Sequence, residues 1–104
     1  MEREQLGVIA LDARSIVVVS PRQVSSQLVG GEAAILDLDR GVYYGLDEIG
    51  ARIWNLAQAP TSVDALCEVL VREYDVDRER CERSVVTLLG ELVAKGLVEI
   101  VAVA

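Results

Sequence analysis

The chain has 104 residues, of which 52% are hydrophobic, enough for one domain with a buried core. Ten basic against 17 acidic residues give a formal net charge of -7, which repels polyanions such as DNA and anionic membranes at long range. The sequence contains no histidine, which excludes catalysis that depends on imidazole. We therefore expect a single domain over residues 1–104, in which residues 1–14 are the least patterned and are free to be flexible.

The N-terminal segment lacks the features of a targeting sequence. It carries Glu2 and Glu4 and only a short apolar stretch from Leu6, far less than the roughly 20 residues that cross a bilayer. We expect a cytoplasmic protein without membrane contact. Cys67 and Cys81 are then reduced core cysteines, although a disulfide between them stays open.

The first half of the chain has the pattern of strands. Residues 16–19 are a β-branched run, and Val24–Val29 is a second short extended piece that ends at Gly30 and Gly31. Residues 32–46 predict a hairpin, because apolar and polar residues alternate before Gly41 turns the chain back.

The turn of this hairpin determines which residues face each other. A three-residue loop over residues 39–41, with Gly41 in the left-handed conformation, would make one face of the hairpin wholly apolar. The predicted pairs are Leu38 with Val42, Leu36 with Tyr44 and Ala34 with Leu46 on that face, and Asp37 with Tyr43 and Ile35 with Gly45 on the other.

Three helices with polar start signals follow. Asp47 caps a helix that ends before Pro60, Thr61 opens a second through a capping box, and Asp77 caps a third. Residues 97–103 form a final extended piece. The first helix carries Ile49, Ile53, Trp54 and Ala57. The second has Val63, Leu66, Cys67, Leu70, Val71 and Tyr74 at core spacing, and the third has a broad apolar face of Cys81, Val85, Val86, Leu88, Leu89, Leu92 and Val93.

The third helix is more apolar than an ordinary surface helix. Its apolar residues occur as adjacent pairs such as Leu88 with Leu89, and these pairs span more than one stripe. Lys95 and Gly96 end it with a favourable cation and a left-handed cap. Either the helix is central and contacts the rest of the domain all round, or one stripe is buried while the other lines a groove for a partner.

The acidic residues do not indicate an active site. Asp37, Asp39, Asp47 and Glu48 could in principle form an acid/base pair or a Mg²⁺ site, yet each has a structural role in the hairpin, the turn or the first helix. The sequence also lacks nucleotide-binding loops and nucleophile elbows. We therefore expect no enzyme activity, no metal and no cofactor.

The order of elements predicts an α+β fold of winged helix–turn–helix type, with a three-stranded antiparallel sheet followed by three helices. One hypothesis for such a fold is a transcriptional regulator that inserts its third helix into DNA. The exposed charges of that helix are balanced, whereas insertion into a DNA groove favours an excess of cations. DNA binding is therefore the second hypothesis, and we expect no nucleic-acid partner.

The first hypothesis is the capture of an extended peptide as an added strand. A hairpin edge offers unpaired backbone groups, and an apolar helix beside it offers pockets for alternate side chains. Two tyrosines supply contact area and a glycine permits close approach, although both tyrosines also fit ordinary strand packing. The candidate peptide-binding residues are Val42, Tyr43, Tyr44, Gly45 and Leu46 on the strand and, from helical spacing, Arg78, Glu82, Val85, Leu88 and Leu89 on the third helix.

Several stretches of the chain resemble one known family. They are residues 31–38, 41–47 and 50–54, continued less specifically by residues 70–77, 88–92 and 95–98, so that the likeness covers about residues 15–100. These stretches are similar to those of the PqqD-like proteins, the recognition elements of ribosomally made, post-translationally modified peptides.

The resemblance implies a protein without catalytic activity that binds the leader peptide of a precursor. The peptide would lie between the third helix and the third strand of the family's sheet, which is Val42–Leu46 here and would make the backbone contacts. It also implies delivery of the precursor to separate modifying enzymes. A stand-alone chain of this size is similar to the small proteins that accompany a leader peptidase and a cyclase in lasso peptide pathways, and partnership with a radical enzyme is the alternative. Homodimerisation through the apolar edge stays open.

Overall fold

The computed structural model describes residues 11–20, 24–29, 32–37 and 39–103. Its elements in chain order are β1 Ser15–Val19, β2 Val24–Val29, β3 Glu32–Asp37, β4 Val42–Leu46, α1 Glu48–Leu56, β5 Thr61–Ser62, α2 Val63–Glu73, α3 Arg78–Ala94 and β6 Val98–Val103. The predicted strands and helices are confirmed in type and approximate position, and β5 was not predicted. The expected flexibility of residues 1–14 concerns mainly residues 1–10, which lie outside the described residues.

Within the described ranges, the strands form two antiparallel sheets, in the orders β2-β3-β4 and β5-β1-β6. The prediction of one three-stranded sheet followed by three helices is therefore wrong in arrangement, although the α+β class is confirmed. The second sheet forms because β6, which follows α3, returns to pair with β1, and Val17 of β1 also pairs with Thr61 of β5. Local sequence patterns do not report pairing between such distant segments.

The loop of the β3–β4 hairpin is longer than predicted. Asp37 pairs with Val42, so the loop holds the four residues 38–41. Gly41 has φ 68° and donates its N–H to the Asp37 carbonyl at 2.8 Å. The left-handed glycine is confirmed, but the three-residue loop is wrong and each cross-strand pair shifts by one residue. Leu38, the predicted partner of Val42, lies outside the described residues.

This shift exchanges the two faces of β3, whereas Tyr44 and Leu46 of β4 keep the predicted inward face. Ile35, predicted on the half-polar face, is fully buried opposite Tyr44. Leu36, predicted on the apolar face, is 41% exposed and pairs with Tyr43, which is 65% exposed. The prediction failed because it assumed that a carboxylate in the strand must point to solvent.

Asp37 is the carboxylate that contradicts this assumption, with only 1% of its surface exposed. One of its oxygens accepts the backbone N–H groups of Asp39 and Arg40 at 3.2 and 3.3 Å. The other oxygen lies 3.6 Å from Nε of Arg40. The buried carboxylate thus satisfies the amides of the longer loop, which makes an inward-pointing aspartate acceptable.

We expect Asp37→Ala to lower the free energy of unfolding by roughly 1–3 kcal/mol, because it leaves the loop amides without their acceptor. Asp39→Ala is the matched control, since Asp39 is exposed in the same loop. Urea denaturation followed by circular dichroism measures both. Equal midpoints for the two variants would show that the buried carboxylate does not hold the turn.

Two of the three predicted helix caps are confirmed. Asp47 and Asp77 each accept a backbone N–H three residues along the chain, at the starts of α1 and α3. The predicted cap Thr61 is wrong, because Thr61 lies in β5 and Ser62 caps α2 instead. Gly96 follows α3 with φ 76°, which confirms the left-handed cap.

The core lies between the two sheets and the helices. Trp54 of α1 is 2% exposed, and α3 packs against α2 and β6. Cys67 and Cys81 are buried free thiols, which confirms their prediction as core cysteines. Burial, followed by the neighbouring Cys81, raises the pKa of the Cys67 thiol to about 12. No helix in the described part of the chain is long and apolar enough to span a membrane.

Candidate functional site

The outer edge of β4 is the starting point of the site. Among the described strands, β4 pairs only with β3, so its other edge has no strand beside it. The Asp37 carbonyl accepts a bond from the hairpin loop, which directs the backbone groups of Asp37 toward β4. Hydrogen-bonded and non-hydrogen-bonded pairs alternate along an antiparallel ladder. The pairs of Val42 with Asp37 and of Tyr44 with Ile35 are therefore the bonded ones, and Tyr43 and Gly45 direct their N–H and C=O groups away from β3. These two residues therefore offer backbone groups that no other strand in the described part of the chain pairs with.

A groove of about 360 Å³ runs beside this edge, between β4, the start of α1 and one side of α3. We call it the β4–α3 groove. Its lining residues are Tyr44, Gly45, Asp47, Ile49, Gly50, Ile53, Ser84 and Leu88. The groove therefore combines an open strand edge with aliphatic side chains from two helices, the two requirements for holding an extended peptide.

A smaller pocket of about 100 Å³ opens next to the groove and shares three residues with it, Ile49, Ile53 and Ser84. Its other lining residues are Leu70, Tyr74, Val76, Arg80, Cys81 and Val85. The pocket lies between the three helices and is mostly apolar. Its size suits one side chain rather than a ligand.

Polar contacts close the other end of the groove. The Tyr44 hydroxyl donates a hydrogen bond to the Glu91 carboxylate. The Lys95 ammonium lies 5.6 Å from the centre of the Tyr44 ring, within the range of a cation–π contact. Nη1 of Arg40 donates to the Lys95 carbonyl at 2.5 Å. We call Arg40, Tyr44, Glu91 and Lys95 the clasp, because they join the hairpin to the C-terminal end of α3.

The clasp changes the acidity of Tyr44. The hydrogen bond to Glu91, with smaller contributions from burial and from the Glu91 charge, raises the pKa of Tyr44 from 10.0 to about 12. A raised pKa means that the folded protein favours the neutral phenol. This contribution to stability is complete below pH 10 and is lost as the pH rises from about 10 to 12.

We therefore expect an ultraviolet titration of the phenols to contain a late component with a pKa of about 12. Tyr44→Phe should remove that component, and Glu91→Ala should move it toward the ordinary value. Tyr43→Phe is the control and should leave the late component in place. A late component that survives Tyr44→Phe would contradict the Tyr44–Glu91 contact.

The structure places the predicted strand residues on different sides of β4. Tyr44 and Gly45 line the groove, whereas Leu46 is 5% exposed and belongs to the core. Tyr43 lies on the outer face of the hairpin and contributes backbone groups to the edge. Val42 pairs with Asp37 at the start of the strand.

The predicted residues of α3 do not share one surface. Leu88 lines the groove, and Val85 reaches only the adjoining pocket. Leu89 is fully buried in the core. Arg78 and Glu82 form an ion pair at 3.8 Å and line depressions on other sides of the helix, away from β4.

The residues of α3 that face β4 are regularly spaced. Ser84, Leu88, Glu91 and Lys95 follow one another at intervals of four, three and four residues, which is one stripe of an α-helix. The parallel stripe of Val85, Leu89 and Leu92 is buried. Ser84, Glu91 and Lys95 were not among the predicted residues, because helical spacing was applied without knowing which stripe of the helix is buried. The adjacent pairs in the sequence were the signal that two stripes have different roles.

Comparison with known proteins agrees with this geometry. The family model described as coenzyme PQQ synthesis protein D (PqqD) matches residues 32–98. The structure of TbiB1 in complex with the TbiA(beta) leader peptide is similar, with a TM-score of 0.72 and 34% identity over 82% of this chain and 98% of that chain.

The structure of lasso peptide synthetase B1 complexed with the leader peptide shares the fold, with a TM-score of 0.69 and 24% identity over 80% of this chain and 96% of that chain. No curated protein matches the sequence. The family match covers the hairpin, all three helices and both walls of the β4–α3 groove. This chain therefore belongs to the PqqD family.

Proposed function

We propose that this chain binds the leader peptide of a ribosomally made precursor as an added strand on β4. The observation that carries the proposal is the outer edge of β4, which pairs with no other described strand and lies directly beside the β4–α3 groove. The similar chain TbiB1 was solved with a leader peptide, which supports the same class of ligand here. PqqD-like domains are binding proteins without catalytic activity, in agreement with the expectation that this chain is not an enzyme.

The backbone of the peptide would pair with Tyr43 and Gly45, whose N–H and C=O groups point outward. Alternate side chains of an added strand face opposite sides. Every second leader residue would then enter the groove and contact Tyr44, Leu88 and Ile53. Main-chain bonds would supply sequence-independent affinity, and the aliphatic walls would select the side chains.

The same proposal covers the wider role of the protein. The whole chain would act in the cytoplasm as one winged helix–turn–helix domain that carries the leader to a modifying enzyme. A leader peptidase of a lasso peptide pathway fits the likeness to lasso peptide synthetase B1. The chain itself would supply recognition, and the enzyme would supply the chemistry.

The charges of α3 support a peptide rather than DNA as the ligand. Arg78 contacts the carboxylates of Asp64 and Glu82, and Arg83 lies 3.9 Å from Glu79. Cations that already have carboxylate partners release few counterions from phosphates, and counterion release supplies most of the affinity for DNA.

Fluorescence anisotropy with a labelled leader peptide tests the proposal. The TbiA(beta) leader and the leader of any precursor encoded beside this chain are suitable probes. We expect saturable binding at micromolar concentration or tighter. The same peptides with prolines at alternate positions cannot add as strands and are the control. Absence of saturable binding to every leader would refute the proposed function.

A further inference from the structure

We propose that Arg40 is a positioning residue that sets the width of the β4–α3 groove. The inference rests on the proposed function, because the width matters for the peptide that the groove holds. Arg40 lies in the β3–β4 loop and does not line the groove. It acts through α3, whose C-terminal end it holds against the hairpin.

The Arg40 guanidinium is anchored on two sides. Nη1 donates to the Lys95 carbonyl at 2.5 Å, at the end of α3 where carbonyl groups lack helical partners. Nε lies 3.6 Å from the buried carboxylate of Asp37. A cation at a helix C-terminus is favoured by the helix dipole, and the planar guanidinium can serve both partners at once. Arg40 thus joins a fixed carboxylate in the hairpin to the end of the helix.

Gly96 makes this contact possible. Its φ of 76° is costly for other residues, and a Cβ at this position would lie 2.6 Å from Nη2 of Arg40. The glycine therefore does more than end the helix. It leaves the space through which the guanidinium reaches the Lys95 carbonyl.

The packing of α3 against α2 and β6 fixes the helix in the core, so the clasp decides where the hairpin lies relative to it. In the part of the chain that the structure describes, the polar contacts between the hairpin and α3 are those of the clasp, at the Glu91 and Lys95 end. Ser84 and Leu88 face β4 across the open groove. The hairpin is thus tied to α3 at one end of the groove, and the angle between β4 and the helix depends on that tie.

The distance between β4 and α3 matters because an added strand must fit between them. Neighbouring strands lie about 4.8 Å apart, and a layer packed on a sheet lies about 10 Å from it. If the loop loses its tie to α3, the Tyr44–Glu91 and Tyr44–Lys95 contacts remain between the hairpin and the helix. The hairpin can then change its distance from α3, which stays packed in the core. Such a change removes the combination of strand edge and helix wall.

The test compares Arg40→Met with Arg52→Met. Both changes remove a guanidinium, but Arg52 forms its two bonds of 2.9 Å with Glu73, between α1 and α2 and outside the groove. With the TbiA(beta) leader peptide as the probe, we expect Arg40→Met to weaken affinity on the order of tenfold and Arg52→Met to leave it unchanged. Arg40→Lys keeps the cation at the helix end and should recover part of the affinity. Arg40→Met with the affinity of the unchanged protein would overturn the inference.

Hydrogen exchange in the free protein gives a second readout that needs no peptide. The amides of Gly96 and Leu97 donate to Val93 and Leu92, at the end of α3. We expect both amides to exchange faster in Arg40→Met and at the normal rate in Arg52→Met. Failure of the unchanged protein to bind any leader would count against the proposed function alone. Unchanged exchange at Gly96 and Leu97 would count against the role of Arg40 alone.

Discussion

Gly45→Pro is expected to weaken leader-peptide binding by roughly 10–100-fold while the domain stays folded. Proline removes the outward N–H of Gly45, one of the backbone donors available to an added strand. The pairing with β3 should survive, because that N–H points away from β3 and proline is tolerated on strand edges. Anisotropy titration measures the affinity, and circular dichroism checks the fold.

Gly45→Ala is the matched control for this variant. A Cβ at Gly45 would have its nearest neighbour, the Tyr43 hydroxyl, at 3.5 Å, which is ordinary van der Waals contact. Alanine keeps the N–H and should bind the leader nearly as well as the unchanged protein. A folded Gly45→Pro protein with full affinity would mean that the peptide pairs with another edge.

Leu88→Ala is expected to weaken leader-peptide binding and Leu89→Ala to lower the stability of the fold, although the two residues are adjacent. Leu89 is fully buried, so its truncation should lower the free energy of unfolding by about 2–5 kcal/mol. Leu88 is only partly buried and lines the groove, so its truncation should cost less than about 1.5 kcal/mol of stability. The affinity for the leader should fall by about 1–2 kcal/mol in Leu88→Ala.

The two leucine variants separate the core stripe of α3 from its groove stripe. Urea denaturation gives the stability, and titration of the folded protein gives the affinity. Glu82→Ala is the control on a third side of the helix, next to Leu11 and Asp12, and should change neither quantity appreciably. Equal losses of affinity in Leu88→Ala and Glu82→Ala would place the peptide on another surface of α3.

Elements with strong local signals were predictable from the sequence. Asp47 and Asp77 precede helices whose apolar spacing is regular, and cap and spacing together define the start of a helix. Gly41 and Gly96 were recognisable because a chain reversal and a helix end both favour a left-handed residue. Here the local preference and the tertiary structure agree.

The register of the hairpin and the second sheet were not predictable in the same way. Asp37 points inward because loop amides and Arg40 satisfy its carboxylate, and those partners exist only once the four-residue loop has formed. The pairing of β1 with β6 joins segments about 80 residues apart, for which alternation gives no information. The cap of α2 is Ser62 rather than Thr61 for the same reason, because Thr61 lies in β5, which pairs with the distant β1.

The candidate site was half predictable. The edge strand Val42–Leu46 follows from the hairpin pattern and from the family resemblance. On the helix side, Arg78 and Glu82 do not line the β4–α3 groove, because helical spacing gives the angle between residues but not which angle faces the strand. The clasp contacts of Glu91 and Lys95 with Tyr44 join residues that are far apart in the sequence, so no local pattern indicates them.

Amide hydrogen exchange at β4, measured with and without the leader peptide, tests the central claim most directly. In the free protein, Tyr43 and Gly45 should exchange fast, and Tyr44, which pairs with Ile35, should be protected. Saturating peptide should slow exchange at Tyr43 and Gly45 strongly. Protection that appears on β2 or β6 instead, with Tyr43 and Gly45 still exchanging fast in the complex, would contradict strand addition at β4.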